Sequence, residues 1–224
     1  MVPAKSLPVR SFFQEYPVEE MSQRAEEFAR EMSRRRSVRD FSARPVPREL
    51  ILDCLRAANT APNGANCQPW HFVLVSDPAV KRQIREAAEA VEHEFYERRA
   101  PDQWLDLLTP LGTDQHKPFL ETAPYLIGIF TRRQSLTTEG TVVKHPYAFE
   151  SVGIATGILV TAIHHAGLVA LPYTPSPMSF LSHILQRPAT EKPFLLLVVG
   201  YPAEDATVPH LQRRALDALL SEFL

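Results

Sequence analysis

Glycine is scarce in this chain of 224 residues, at 8 against 20 prolines. No GxGxxG or GxxxxGK[ST] run occurs, so side chains must supply most of the donors if a phosphate is bound. There are two cysteines, Cys54 and Cys67. They are too few for a disulfide framework, their spacing fits no zinc pattern, and they point to a reducing, cytoplasmic setting. The opening MVPAKSLPVRSFFQEYP contains no long apolar run, so neither a signal peptide nor a membrane partner is expected. The net charge of −2 lacks the basic excess of a nucleic-acid binder, and any positive site must be local. Eight histidines occur, but no H-E-x-x-H spacing accompanies them, and no metal site is expected. There is no G-x-S-x-G elbow, and Cys67 with His71 lacks an orienting third group for a thiol nucleophile.

What is present suits a globular domain with a sizeable core: 45% of residues are hydrophobic and 22% charged. Met21, Ala25, Phe28 and Met32 share one face of a helix over residues 18–33. Pro47 opens a second, with Leu50, Ile51, Cys54, Leu55 and Ala58 inward. After the turn-rich TAPNGANCQP (60–69), WHFVLV (70–75) reads as a strand. Asp77-Pro78 then begins a long charged helix towards Arg98. Residues 99–117 read as an excursion with a short helix. YLIGIF (125–130), LVALPY (168–173) and FLLLVVG (194–200) are further strands. Residues 132–146 read as a loop, and a last helix is expected from Arg214. The helix at 149–166 is apolar nearly all round and has small residues at Gly153, Ala155 and Gly157, which favours a subunit interface. Helices and strands without strict alternation imply an α+β layered domain.

The stretch RRRSVR (34–39) follows the first helix. Cations at a helix C-terminus are favoured by its dipole, and a solvated charge run explains such triplets in general. An extended continuation changes this: Arg35, Ser37 and Arg39 then fall on one side. Two guanidiniums and a hydroxyl suit phosphate oxygens. Arg213-Arg214 form a second basic pair that can close the same site.

RRSVRDF followed by APNGANCQPW resembles the nitroreductase superfamily of FMN flavoproteins. A narrower resemblance, to its iodotyrosine deiodinase branch, runs over nearly the whole chain from Glu27. It rests on RRSVR (35–39), TAPNGA (60–65), EHEFY (92–96), KPFLETAP (117–124), GILVTAIHHAGLV (157–169), YTP (173–175), VGYPAEDATVP (199–209) and RRALD (213–217). The resemblance implies a central mixed β-sheet flanked by helices, one domain over 1–224 with a substrate lid around 90–118, and an intertwined homodimer with FMN between subunits. It implies FMN contacts at Arg35, Arg36, Ser37 and Arg39 for the phosphate, at Asn63, Gly64, Pro172, Tyr173, Thr174 and Pro175 along the flavin, and at Arg213. It implies substrate contacts at Ala65, Glu92, Tyr96 and Lys117. Asn63, Pro172, Tyr173 and the stretch YAFESVG (147–153) depart from the branch's pattern. The membrane segment of the animal members is missing, which suggests a soluble microbial type.

The chemistry gives these residues a rationale. Glu92 and Tyr96 lie four apart on one helix face. An isolated pair of this kind is ordinarily a surface feature. With Lys117, however, it makes a clamp for a free amino acid: Glu92 for the ammonium, Lys117 and the Tyr96 hydroxyl for the carboxylate. The Ala65 N–H is the candidate donor to a halotyrosine's phenolate oxygen. Thr174 would otherwise be a turn residue before Pro175; under the resemblance its hydroxyl meets flavin N5 and tunes electron transfer. The implied reaction is reductive removal of halide from mono- and dihalotyrosine, giving tyrosine. Two alternatives stay open: a general NAD(P)H nitroreductase acting on another aromatic substrate, and a non-catalytic flavin- or ligand-binding module. Nothing resembles a dedicated nicotinamide site, so a separate reductase is a candidate partner.

Overall fold

A computed structural model describes residues 6–136 and 139–223. It divides into two compact units, Met1–Arg35 and Arg36–Leu224. The first holds α1 (Val18–Ser33). Exposed ion pairs brace that helix at i,i+4, Arg24 with Glu20 and Arg30 with Glu26. Met21 and Phe28, on the expected apolar face, are both exposed.

The second unit is built on a four-stranded sheet in the order β1-β2-β6-β5. The strands are β1 (Trp70–Val75), β2 (Tyr125–Arg132), β5 (Val169–Tyr173) and β6 (Glu191–Gly200). Among the described residues every ladder of this sheet is antiparallel, and a parallel bridge joins Ser37 to Ala170 of β5. The inner strands β2 and β6 are covered on both faces, which is why they read as unbroken apolar runs. Ile127, Ile129, Leu197 and Val199 face the layer of α2 (Arg48–Ala58) and α6 (Ala148–His165). Leu126, Phe130, Leu196 and Val198 face the opposite layer. That layer contains α3 (Pro78–Glu94), α5 (Phe119–Thr122) and α7 (Ser179–Ile184). Gly128 of β2 sits in a tight space: a Cβ there would lie 3.0 Å from both Leu185 and Phe130 side-chain atoms, which would have to shift to admit it.

The helix limits follow local chemistry. Asp77 caps α3 by accepting hydrogen bonds from Ala79 N (2.8 Å) and Val80 N (3.0 Å), with Pro78 in the first turn. The α-helix ends at Glu94 and continues as a π-helical turn, Phe95–Arg99. The excursion then forms α4 (Asp102–Leu108). Two expectations are corrected. Residues 132–146 hold a small hairpin, β3 (Gln134–Leu136) paired with β4 (Val142–Lys144). The helix expected from Arg214 is one short turn, Leu216–Ala218; Leu216 and Leu219 stay exposed, so little burial supports a longer helix.

Candidate active site

One face of α3 organises the site. Lys81, Arg85, Glu89, Glu92 and Tyr96 recur at spacings of three and four, so they line one side. Each of the first three holds the segment 117–123. Lys81 is buried, and its Nζ donates to the carbonyls of Glu121 (2.7 Å) and Ala123 (2.8 Å), closing the end of α5. Arg85 pairs with Glu121 and Glu89. Glu89 Oε1 accepts from the backbone N–H of Lys117 at 2.8 Å. Lys117 is thereby fixed opposite the next turn of the same helix.

That turn carries Glu92 and Tyr96, and the expected trio converges. Lys117 Nζ lies 3.6 Å from Glu92 Oε2, with the two side chains 3% and 13% exposed. Lys117 Nζ is 5.7 Å from the centre of the Tyr96 ring. It also donates to Thr113 Oγ1 (3.4 Å) and to the Asp114 carbonyl. The Tyr96 hydroxyl donates to Thr113 O at 3.2 Å. Burial pushes the Lys117 ammonium below its ordinary range, and Glu92 opposes that shift. Burial raises the Tyr96 phenol, so it stays a donor at neutral pH.

A fourth side chain completes the cluster. The Tyr173 hydroxyl donates to Glu92 Oε1 at 3.0 Å. Its ring is buried, edge-on to Phe119 at 5.8 Å between centroids. Burial, reinforced by Glu92, drives the Tyr173 phenol far above its ordinary value. Sequence reasoning put Tyr173 along the flavin. Here its hydroxyl is engaged by Glu92, and a flavin contact would have to come from its backbone. A further tie also escaped notice: Arg99 Nη2 donates to Ser176 O at 2.7 Å, joining the turn after Tyr96 to the chain beyond β5. No local pattern marks either contact, since the partners are 81 and 77 positions apart.

Within the second unit, Ser37 of the arginine stretch is placed next to β5. Ser37 bridges Ala170, three residues before Tyr173, so the two ends of this strand serve the two halves of the site, roughly 10 Å apart. Arg39 is half-buried and lines a cleft of about 390 Å³ with Asp40, Phe41, Pro118, Phe119 and Thr122. Its positive charge reaches the clamp, contributing to the downward pull on both Tyr96 and Lys117. Among the described residues the Arg39 guanidinium and the Ser37 hydroxyl make no hydrogen bond or ion pair. Arg36 instead donates to the Pro209 carbonyl. Arg35 is the last residue of the first unit, with its N–H on Met32 O at 3.2 Å. Arg213 lies exposed in the C-terminal segment. Thr174 and Pro172 are exposed, and Pro175 is buried.

The loop 60–69 is held by its own polar groups. Asn63 Oδ1 accepts from Gln68 N (2.8 Å), and Asn63 Nδ2 donates to Ala61 O (3.1 Å). Ala65, Asn66 and Gln68 all take positive φ, at 52°, 54° and 46°. Such backbone strain needs support and gathers at functional loops. The turn's bonds run from Asn66 N to Asn63 O and from Cys67 N to Gly64 O, which leaves the Ala65 N–H outside them. Ala65 thus sits on a separate element from the clamp.

Comparison with known proteins shows the family of this chain. The Nitroreductase family model matches residues 32–201. An iodotyrosine deiodinase from Haliscomenobacter hydrossis is 53% identical over 206 residues, covering 92% of this chain and 93% of that protein. The chain belongs to the iodotyrosine deiodinase branch of the nitroreductase family. The human iodotyrosine deiodinase 1 is 44% identical over 206 residues, or 92% of this chain and 71% of its own length. A crystal structure of oxidized iodotyrosine deiodinase bound to FMN and 3-iodo-L-tyrosine superposes with a TM-score of 0.73 at 33% identity, covering 84% of this chain and 96% of that one.

Proposed function

We propose that this protein is an FMN-dependent reductive dehalogenase that converts mono- and dihalotyrosine into tyrosine and halide. The observation that carries the reading is the convergence of Glu92, Lys117 and Tyr96 in one nearly buried cluster. Its opposite charges match a zwitterion, and burial makes each charge-assisted contact count for more than in water.

The donor set fits FMN. Arg39 and Ser37 have unused donors beside β5, which is what a phosphate requires where no glycine-rich loop exists. Arg36 is assigned to the phosphate with them, and Asn63, Gly64, Pro172, the Tyr173 backbone, Thr174, Pro175 and Arg213 to the rest of the flavin, with Thr174 as the residue that tunes it. When bound, FMN supplies the two electrons that, with a proton, exchange the carbon–halogen bond for carbon–hydrogen and release halide. The chain's own residues bind and orient. Glu92 takes the ammonium; Lys117 and Tyr96 take the carboxylate; the Ala65 N–H donates to the phenolate oxygen. Residues 90–118 close over the substrate as a lid of the single domain 1–224 and exclude water. A dimer is part of the proposal. Phe149 and Ile154 lie exposed on α6, and Gly157 has open space around it. This apolar face suits a second copy. No helix among the described residues is long and apolar enough to cross a membrane, and two free cysteines suit a cytoplasmic location. A separate reductase is proposed as electron donor.

The test is anaerobic turnover of 3,5-diiodotyrosine by FMN-loaded protein with dithionite, reading tyrosine. Formation above a protein-free control is expected. A yellow, reducible protein that yields no tyrosine would refute the dehalogenase reading and favour a nitroreductase acting on another aromatic.

A further inference from the structure

We propose that Tyr173 is a positioning residue that sets the clamp's preference for zwitterionic ligands by fixing one oxygen of Glu92 while the other changes its cation. This rests on the clamp proposed above. In the structure Glu92 is held at both oxygens: Oε1 by the Tyr173 hydroxyl at 3.0 Å and Oε2 by Lys117 Nζ at 3.6 Å. The two partners differ in what a ligand does to them. Lys117 has to turn towards the incoming carboxylate, so its hold on Oε2 passes to the ligand's ammonium. Tyr173 carries no charge that a ligand competes for. Its ring is buried against Phe119 at the end of β5, a strand locked into the sheet by its ladder with β6. Burial and the neighbouring Glu92 push its phenol well above the ordinary tyrosine value, so it remains a donor at neutral pH. It therefore keeps Glu92 aimed throughout the exchange.

A carboxylate with no such anchor would lose side-chain freedom only when the ligand arrives, and that cost would fall on affinity. Anchoring on a strand of the central sheet moves that cost into folding. Tyr173 also precedes Thr174, so the residue assigned to the flavin and the residue that aims the clamp are neighbours in the chain.

The test is a double-mutant cycle on the FMN-loaded protein with Tyr173→Phe, Glu92→Gln and both, measuring Kd for 3-iodotyrosine and for 2-iodophenol, which has no zwitterion. FMN content reports folding of each variant. Tyr173→Phe is expected to lower the ratio of the two affinities about tenfold, the loss typical of a hydrogen bond to a charged group. In the Glu92→Gln background the same change is expected to move that ratio less than about twofold. Equal losses for both ligands, or an undiminished loss in the Glu92→Gln background, would show that Tyr173 acts as general scaffold and overturn the proposal. Wild-type protein that binds both ligands alike would remove the clamp, and the role of Tyr173 with it. Wild-type protein that discriminates while Tyr173→Phe discriminates equally well would remove the Tyr173 role alone.

Discussion

Glu92→Gln removes one charge and leaves the shape of the clamp intact. In the free protein Glu92 and Lys117 are 3.6 Å apart and almost excluded from water. At an effective dielectric constant near 20, two unit charges at that distance attract by about 4.6 kcal/mol before desolvation is subtracted. A bound ammonium at similar range experiences the same gross attraction. The net worth of a hydrogen bond to a charged group is about 1.5–3 kcal/mol, so halotyrosine affinity should fall roughly 10- to 150-fold. Reduction of a nitroarene, which presents no ammonium, should change by less than about twofold on the same argument. The assay is titration of FMN-loaded wild-type and variant protein with 3-iodotyrosine, followed by flavin fluorescence, beside steady-state nitroarene reduction. FMN content must match, since Glu92 is assigned no cofactor contact. An iodotyrosine Kd within about threefold of wild type would refute the assignment of Glu92 to the ammonium.

Three further outcomes follow from the same geometry. Burial lowers the Lys117 pKa against the opposing pull of Glu92. Only the cation binds a carboxylate, so iodotyrosine affinity should fall as pH rises through that lowered value, earlier than for an ordinary lysine, while 2-iodophenol binding shows no such limb; Kd measured from pH 7 to 10 checks this. Glu191 is 1% exposed at the side chain and bonded by Arg132 and Arg187, both at 2.7 Å. Burial raises its pKa, yet those two hydrogen bonds outweigh it and the carboxyl ends below its ordinary 4.5. Its stabilisation is therefore present above that value and lost as pH falls through the folded-state pKa. Glu191→Gln should cost about 1.5–3 kcal/mol in urea unfolding at pH 7, a gap that narrows in acid; equal stability at neutral pH would contradict the reading. A Cβ at Gly64 would lie 2.5 Å from the Pro146 carbonyl oxygen. Backbone cannot yield as a side-chain end can, so Gly64→Ala should cost about 1–3 kcal/mol and reduce FMN retained on gel filtration.

The inner strands and the three long helices of the second unit were legible because α2 and α3 keep the helical period over a full element, while α6 is apolar nearly all round and β2 and β6 contain unbroken apolar runs. Burial on both faces makes YLIGIF and FLLLVVG continuous, and Asp77-Pro78 writes a cap and a first turn side by side. The hairpin at β3 and β4 was not legible because Val142, Val143 and Lys144 are all exposed, so no alternation marks a buried side. The C-terminal segment has helix-forming residues, but Leu216, Leu219 and Leu220 find little to pack against, and propensity alone does not sustain a helix there. At the site, helical spacing put Glu92 and Tyr96 on one face, but only the resemblance made them and Lys117 a substrate clamp. The α3 stripe that places Lys117 was latent in the sequence, since Lys81, Arg85 and Glu89 continue the register of Glu92. Tyr173 was not readable as a partner of Glu92, because a strand end meeting a helix end is a property of tertiary packing.

A clamp that is paired with itself before a ligand arrives has a consequence for ligands that carry a single charge. A zwitterion inserts two charges and restores two ion pairs, so the Glu92–Lys117 pair is exchanged rather than lost. A ligand with neither charge leaves the pair intact. A ligand with only an ammonium captures Glu92 and strands Lys117, which is 2% exposed as a residue; one with only a carboxylate strands Glu92. Leaving a buried charge without its partner costs several kcal/mol in general, and Tyr173 on Glu92, with Thr113 and Asp114 on Lys117, offsets only part of it. Affinity should therefore not rise stepwise with charged groups. 3-Iodotyrosine should bind best, while 3-iodotyramine and 3-(4-hydroxy-3-iodophenyl)propanoate should bind no more tightly than 2-iodophenol despite their larger contact area. The four Kd values on one protein preparation decide it. A graded series, with each charge adding its own increment, would mean that Glu92 and Lys117 act independently and that their pairing has no part in recognition.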